Sequence, residues 1–244
     1  HRLEELAMIT DRITVMRDGT YVGTSNTQEV TTDEIIKMMV GREIFVTKQE
    51  ELKQKDAPVT LEVRHLNAGK MVQDISFTAR RGEILGFAGL VGAGRTETAR
   101  VLFGADPYES GEIFINGKEV KIKCPSDAIR SGIAYLSEDR KQYGLVLGLD
   151  VDINIALPNM EKYQKNGFIH FAKSEENSRK QTELLAIKTP SIKQKVKLLS
   201  GGNQQKVVLA KWLTKNSDIL IFDEPTRGID DGAKNEIYKV MNQL

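Results

Sequence analysis

Cysteine is almost absent: the chain of 244 residues holds one, Cys124. No intrachain disulfide can form, and a reducing compartment is the natural setting. Long hydrophobic runs are missing too. The longest stretch of apolar residues and glycine, Ile84 to Gly94, falls well short of the ~18 residues that a membrane helix needs. Neither sign of charge dominates: 35 Lys and Arg face 34 Asp and Glu, so bulk charge gives no reason to expect a nucleic-acid partner. Histidine is scarce, and no metal-binding spacing surrounds His65 or His170, which read as structural or surface groups. Low-complexity segments and internal repeats are lacking. The opening "HRLEELAMITDR" is charged and amphipathic, unlike a signal peptide, and it starts without Met, as expected of a piece of something longer. What is present, 40% hydrophobic and 28% charged residues, suits a soluble globular chain of one large domain, or one domain plus part of another.

Turn and periodicity signals divide the chain. "RITVMRDGTYVGT" reads as two short strands around Asp18-Gly19, a pair suited to a type I′ hairpin turn. "TTDEIIKMMV" places Thr31 and Glu34 at capping-box spacing and Ile35, Ile36, Met39 and Val40 on one helical face. These elements look too few for a core of their own, so Ile13, Val15, Ile36 and Met39 should be buried against the rest of the chain or a neighbour. The charged "FVTKQEELKQKDAPVT" reads as a linker. The expected organisation is thus a tail over 1–46, a linker over 47–59 and a domain over 60–244.

Within that domain "VTLEVRHL" and "VQDISFTARRGE" predict strands, and "GEILGFA" predicts a buried strand leading into a glycine loop. A helix then runs to Leu102 and stops at Gly104. "SGEIFINGKEVKIK" is a hairpin turned on Asn116-Gly117. A helix is expected over Ser174–Ala186 and another over Asn203–Leu213, with Trp212 packed. "DILIFDE" is a buried strand ending in acids, and "DGAKNEIYKVMNQL" is a helix with Ile237, Val240, Met241 and Leu244 on one face. Strands alternating with helices imply an α/β fold with a largely parallel sheet. Cys124, just before Pro125, reads as inert.

Two stretches carry chemistry. Gly89-Leu90-Val91-Gly92-Ala93-Gly94-Arg95-Thr96 matches the phosphate-loop pattern G-x-x-x-x-G-K-[ST] except at the lysine. Glycines let backbone N–H groups turn inward around phosphate oxygens, and the following helix aims its positive end there. Thr96 offers a hydroxyl to Mg²⁺. Arg95 keeps the lysine's charge but is planar and larger. Glu97 suits the helix dipole yet would repel phosphate. On this pattern alone a ligand-free glycine turn stays open. The apolar strand Ile219–Phe222 ending in Asp223 and Glu224 narrows it: Asp223 can hold a Mg²⁺-bound water and Glu224 can polarise an attacking water.

"LSGGNQQK", from Leu199 to Lys206, is similar to the signature sequence of ABC-type ATPases. With "GLVGAGRTE", "SEDR" and "DEPTRGID" it makes the chain resemble the ATP-binding subunits of bacterial monosaccharide importers of the ribose, galactose and xylose type. Those subunits carry two fused nucleotide-binding domains, and residues 60–244 resemble the second, truncated at its C-terminus. The N-terminal segment resembles the end of the first, opening on its switch histidine, His1. The resemblance implies a P-loop ATPase of ABC type with an antiparallel β subdomain and a helical subdomain. It implies ATP and Mg²⁺ as cofactors, with Thr96 and Asp223 at the metal and Glu224 catalytic. Nucleotide would lie on Gly89 to Glu97. The signature residues Leu199, Ser200, Gly201, Gly202, Asn203 and Gln204 would complete the ATP site of a partner domain. Glu138 would stand at the Q-loop position and Asp230 in the D-loop. The implied partners are membrane permease subunits, a periplasmic or lipid-anchored sugar-binding protein reached through them, and a second nucleotide-binding domain, with no nucleic acid. The implied place is the cytoplasmic face of the plasma membrane.

Departures from the family pattern predict asymmetry. Arg95 replaces lysine, Glu138 stands where glutamine is expected, and no aromatic near Gly69 to Met71 is available to stack on adenine. The expectation is a weakened phosphate grip beside an intact signature, with weak nucleotide binding and little hydrolysis by this piece alone. Two function classes follow: an energy-coupling ATPase for sugar import, or a non-catalytic nucleotide-binding or regulatory module. A chromosome- or repair-associated ATPase would carry coiled-coil heptads, which are absent. The apolar mixture in "NIALPNMEKYQKNGFIHFAK" suits either core packing or the surface that faces the membrane subunit in the family.

Overall fold

The computed structural model describes residues 3–17, 19–40, 56–229 and 231–244. His1, Asp230, the predicted turn residue Asp18 and most of the predicted linker lie outside the described residues. The N-terminal unit runs α1 (Leu3–Ile9), β1 (Arg12–Arg17), β2 (Thr20–Asn26) and α2 (Thr32–Val40). The two strands pair antiparallel with a bulge between Val15 and Met16. The capping box forms as predicted: Glu34 Oε2 accepts the Thr31 N–H at 2.8 Å, and the Glu34 N–H donates to Thr31 Oγ1 at 3.3 Å. One expectation changes. Ile13, Val15 and Ile35 bury against Leu6, Val22, Met38 and Met39, a small core of their own. One face of the hairpin and one stripe of α2 suffice to cover each other.

The larger unit continues with β3 (Val59–Ala68), β4 (Val72–Arg80), α3 (Arg95–Leu102), β5 (Ser110–Ile115), β6 (Lys118–Val120), α4 (Pro125–Arg130) and β7 (Ile133–Leu136). A π-helical turn, Arg140–Gly144, leads to α5 (Val151–Ala156), α6 (Met160–Tyr163), β8 (Gln164–Lys165), β9 (Phe168–Ile169) and α7 (Phe171–Leu184). Then come α8 (Gly201–Lys215), β10 (Ile219–Phe222) and α9 (Asp231–Gln243). The antiparallel sheet has the order β4-β3-β5-β6, and Asn116 and Gly117, both at positive φ, turn its last hairpin as predicted. Beside it β7 and β10 pair in parallel, with Tyr135 opposite Ile221 and Leu136 opposite Phe222.

Helix α8 is the axis of the core. Val207, Val208, Leu209 and Ala210 are all buried, so it is covered on nearly every side. Trp212 meets Phe103 edge-on, and Phe103 tilts onto Tyr135. The helix is a turn longer than predicted because Ser200 caps it at one end and Asn216, in the left-handed region, closes the other. Helix α7 starts and ends earlier than predicted, and Ala186 at φ 47° lies beyond it. Helices α5, α7 and α8 pack together, and buried Asp152 on α5 ties α5 to α7 by accepting from Ser174 and Ser178 while pairing with Lys193.

The segment "GEILGFA" departs from its predicted state. Ile84 to Ala88 form no strand and stay exposed, with Ile84 47% and Phe87 48% accessible; Phe87 only leans edge-on against Phe77 of β4. An apolar run marks a buried parallel strand only if neighbouring strands offer it ladder partners. Among the described residues the parallel ladder consists of β7 and β10 alone. Strand β10 is accordingly half-buried rather than fully buried.

Candidate functional site

The glycine loop ends where α3 begins. Gly94 is the residue before the helix, at φ 83°, and Gly92 has the same φ. The reason for glycine differs between them. A Cβ on Gly92 would meet nothing within 4 Å, whereas one on Gly94 would stand 2.1 Å from the Met71 carbonyl oxygen. Gly94 therefore lets α3 start against the turn between β3 and β4. The Gly94 carbonyl accepts both the N–H and the hydroxyl of Thr98, which fixes the first turn. Leu90 and Val91 form the exposed tip, and the Ala93 N–H closes a turn onto the Leu90 carbonyl. A Cβ on Gly89 would crowd Ala93 at 2.8 Å.

Two side chains of the first helical turn reach the end of β10. Thr96 Oγ1 donates to Asp223 Oδ1 at 3.1 Å, and Arg95 Nη1 donates to Glu224 Oε1 at 3.3 Å. The segments that meet lie far apart in sequence, and both acids follow a four-residue strand. Glu224 adopts φ 47°, an uncommon backbone state for its residue type. Glu97 is half-buried in the same turn of α3.

Sequence reasoning missed a further member of this cluster. Tyr135 on β7 donates its hydroxyl to Asp223 Oδ2 at 2.9 Å, and both residues are 8% exposed. Burial and the neighbouring carboxylate push the Tyr135 phenol far above its ordinary pKa, so it stays a donor. The signal was a tyrosine inside the otherwise apolar "IAYL": a buried phenol requires a polar partner. Only strand register says which partner.

The signature segment lies apart from this cluster, at the start of α8. Ser200 Oγ accepts Asn203 Nδ2 at 2.9 Å, Asn203 Oδ1 accepts the Lys188 N–H, and Gln204 Nε2 donates to the carbonyls of Val196 and Leu199. Asn203 and Gln204 thus hold the turn before α8, while Gly202 is buried. Among the described residues no hydrogen bond or ion pair joins Leu199 to Gln204 with Gly89 to Glu97. Glu138 pairs with Arg227, on the loop after Glu224. His65 bonds Asp74 on the surface, and Cys124, exposed, precedes α4 and takes part in its capping box with Asp127.

The oxygens present suit a hard divalent cation: one carboxylate and one hydroxyl converge, with exposed backbone N–H groups of the glycine loop beside them. Among the described residues no cluster of three His, Cys, Asp or Glu could cage a metal by itself. That donor poverty is characteristic of a cation shared with phosphate oxygens.

Residues 72–227 match the family described as ABC transporter. The chain belongs to that family. Along its whole length it is 53% identical to a putative ribose/galactose/methyl galactoside import ATP-binding protein of Burkholderia lata and 48% identical to the ribose import ATP-binding protein RbsA of Bacillus cereus. It covers 48% and 49% of those relatives, so the chain spans about half their length. Solved ATP-binding cassettes share the fold. A dimeric post-hydrolysis cassette bound to ADP and Pi aligns with TM-score 0.63 and 19% identity, over 75% of this chain and 82% of its own. A nucleotide-free cassette from an ABC transporter gives TM-score 0.63 and 19% identity, over 76% and 77%. The fold class predicted from the sequence, an ABC-type P-loop ATPase, is the fold found. No helix among the described residues is long and apolar enough to cross a membrane.

Proposed function

We propose that this chain is part of the ATP-binding subunit that powers monosaccharide import through a membrane permease, working at the cytoplasmic face of the membrane. The observation that carries the reading is the convergence of Thr96 on Asp223 and Arg95 on Glu224, which joins the two sequence motifs into one site. The names of the full-length relatives supply the sugar class. Thr96 and Asp223 would hold Mg²⁺, which when bound supplies positive charge against the phosphates. The N–H groups around Gly92 and Gly94 orient the phosphates. Glu224 Oε1 takes a proton from water only when Arg95 has left it, because the ion pair occupies that oxygen.

That ion pair supports the asymmetric form of the reading. Here the loop cation is engaged by the acid that should act as base, so this site grips phosphate weakly and turns over slowly. Ser200 and Gly201 serve the stronger site by completing the ATP pocket of a second nucleotide-binding domain. The same observation favours the second reading, a nucleotide-binding module that regulates rather than hydrolyses. The test is sugar-stimulated ATPase activity of the full-length protein reconstituted with its permease. Gly201→Asp, which removes close backbone approach and oriented donors, is expected to cost ~10²–10³ in rate. Arg95→Ala is expected to change the net rate little. Equal losses from the two would refute the asymmetry, and no loss from either would refute the shared-site reading.

A further inference from the structure

We infer that Arg140 is a positioning residue that locks the start of the signature helix to the loop carrying Glu224, so that the two move as one body. Its guanidinium is a fork across that loop: Nη1 donates to the Arg227 carbonyl at 2.8 Å and Nη2 to the Gly228 carbonyl at 3.2 Å. The same Nη2 lies 2.8 Å from where a Cβ of Gly201 would be, and the Gly228 carbonyl lies 2.9 Å from that point. Gly201 is therefore packed against the arginine and against the carbonyl that the arginine holds. Any side chain there would push the three apart.

Arg140 is itself firmly mounted. It opens the π-helical turn, which Asp139 caps by accepting the N–H groups of Lys141 and Gln142. At the far end of the turn the Gly144 carbonyl accepts Nζ of buried Lys211 from α8 at 2.6 Å. A Cβ on Gly144 would meet Val208 of α8 and Arg140 Cβ at 3.2 and 3.3 Å. The turn is thus fixed to α8 behind and grips the loop in front. The neighbouring Glu138–Arg227 ion pair adds a second tie to that loop. A planar, two-pronged donor holds two adjacent carbonyls in a fixed geometry, which the compact point charge of a lysine ammonium does not reproduce. Displacing the signature by a partner domain would then shift the loop after Glu224 through Arg140. This inference rests on the composite-site reading above for its effect on catalysis, but not for the mechanical link.

The link is tested by amide hydrogen exchange on the full-length protein and its Arg140→Ala and Arg140→Lys variants. Exchange over Arg227–Ile229 and over Gly201–Asn203 should rise together, about 10-fold for alanine and less for lysine, with the amides of α7 unchanged. In the reconstituted transporter kcat should fall about 10- to 100-fold, since small misplacements of a site cost that much. KM for ATP should change less than about 2-fold, because Arg140 touches none of the glycine loop. If exchange rises in one segment only, in neither, or in α7 as well, the link is overturned. Should the alanine variant fail to fold, the lysine variant decides by the same criteria. If exchange rises as expected but neither Arg140→Ala nor Gly201→Asp alters ATPase activity, the link stands and the composite-site reading falls.

Discussion

Tyr135→Phe removes one oxygen atom and leaves everything else in place. The ring keeps its contact with Phe103, whose centroid lies 5.4 Å away, so no cavity opens. The lost group is a donor to Asp223 Oδ2, and phenol and carboxylate are each 8% exposed. A hydrogen bond to a charged acceptor contributes about 1.5–3 kcal/mol, and its loss here leaves a carboxylate oxygen without its donor. For a chain of this size that is a fall of about 3–12 °C in Tm. The assay is denaturant unfolding of Tyr135→Phe, Asp223→Ala and the double variant. The cycle should give a coupling above about 1 kcal/mol. A coupling below about 0.5 kcal/mol would show that water replaces the phenol at no cost, and Tyr135 would then have no part in holding Asp223.

Two other substitutions test separate arguments. Gly92→Ala and Gly94→Ala both force alanine to φ 83°, worth about 1–3 kcal/mol of strain, but only Gly94 also meets the Met71 carbonyl. Denaturation midpoints and nucleotide titration should show the Gly94 variant clearly the weaker, and equal losses would refute the crowding argument. Lys211 is buried, and desolvation lowers its pKa to about 8 from 10.5. The folded state gives up this proton first, so its burial penalty is full below pH 8 and relieved as pH rises to 10.5. The gap amounts to about 3 kcal/mol, and Lys211→Met should abolish that share of the rise in unfolding free energy across the window. Parallel pH profiles for the two proteins would refute it.

Local chemistry made much of this protein legible in its sequence. The Thr31–Glu34 box, the Asn116–Gly117 turn, the stop at Gly104 and the length of the strand before Asp223 all depend on a few neighbouring residues. The family and its fold were legible for a related reason: phosphate loops, acid-tipped strands and signature turns are contiguous stretches whose glycines and acids cannot be moved. Pairing across the chain was not. An apolar run such as "EILGFA" has the composition of a buried strand, yet strand formation requires hydrogen-bond partners from elsewhere, and composition does not supply them. The N-terminal elements looked too few to make a core, because the sequence does not show how far a bulged hairpin can curl over a helix.

By itself, then, the sequence determined which residues could bind phosphate, hold a cation or accept a proton. Only the tertiary structure decided how they are engaged. It put Arg95 on Glu224, gave both oxygens of Asp223 hydroxyl donors from different elements, and set Arg140 between Gly201 and the loop after β10. The physical reason is that hydrogen bonds between distant segments are fixed by strand register and helix placement to within an ångström, and side-chain identity leaves that distance open.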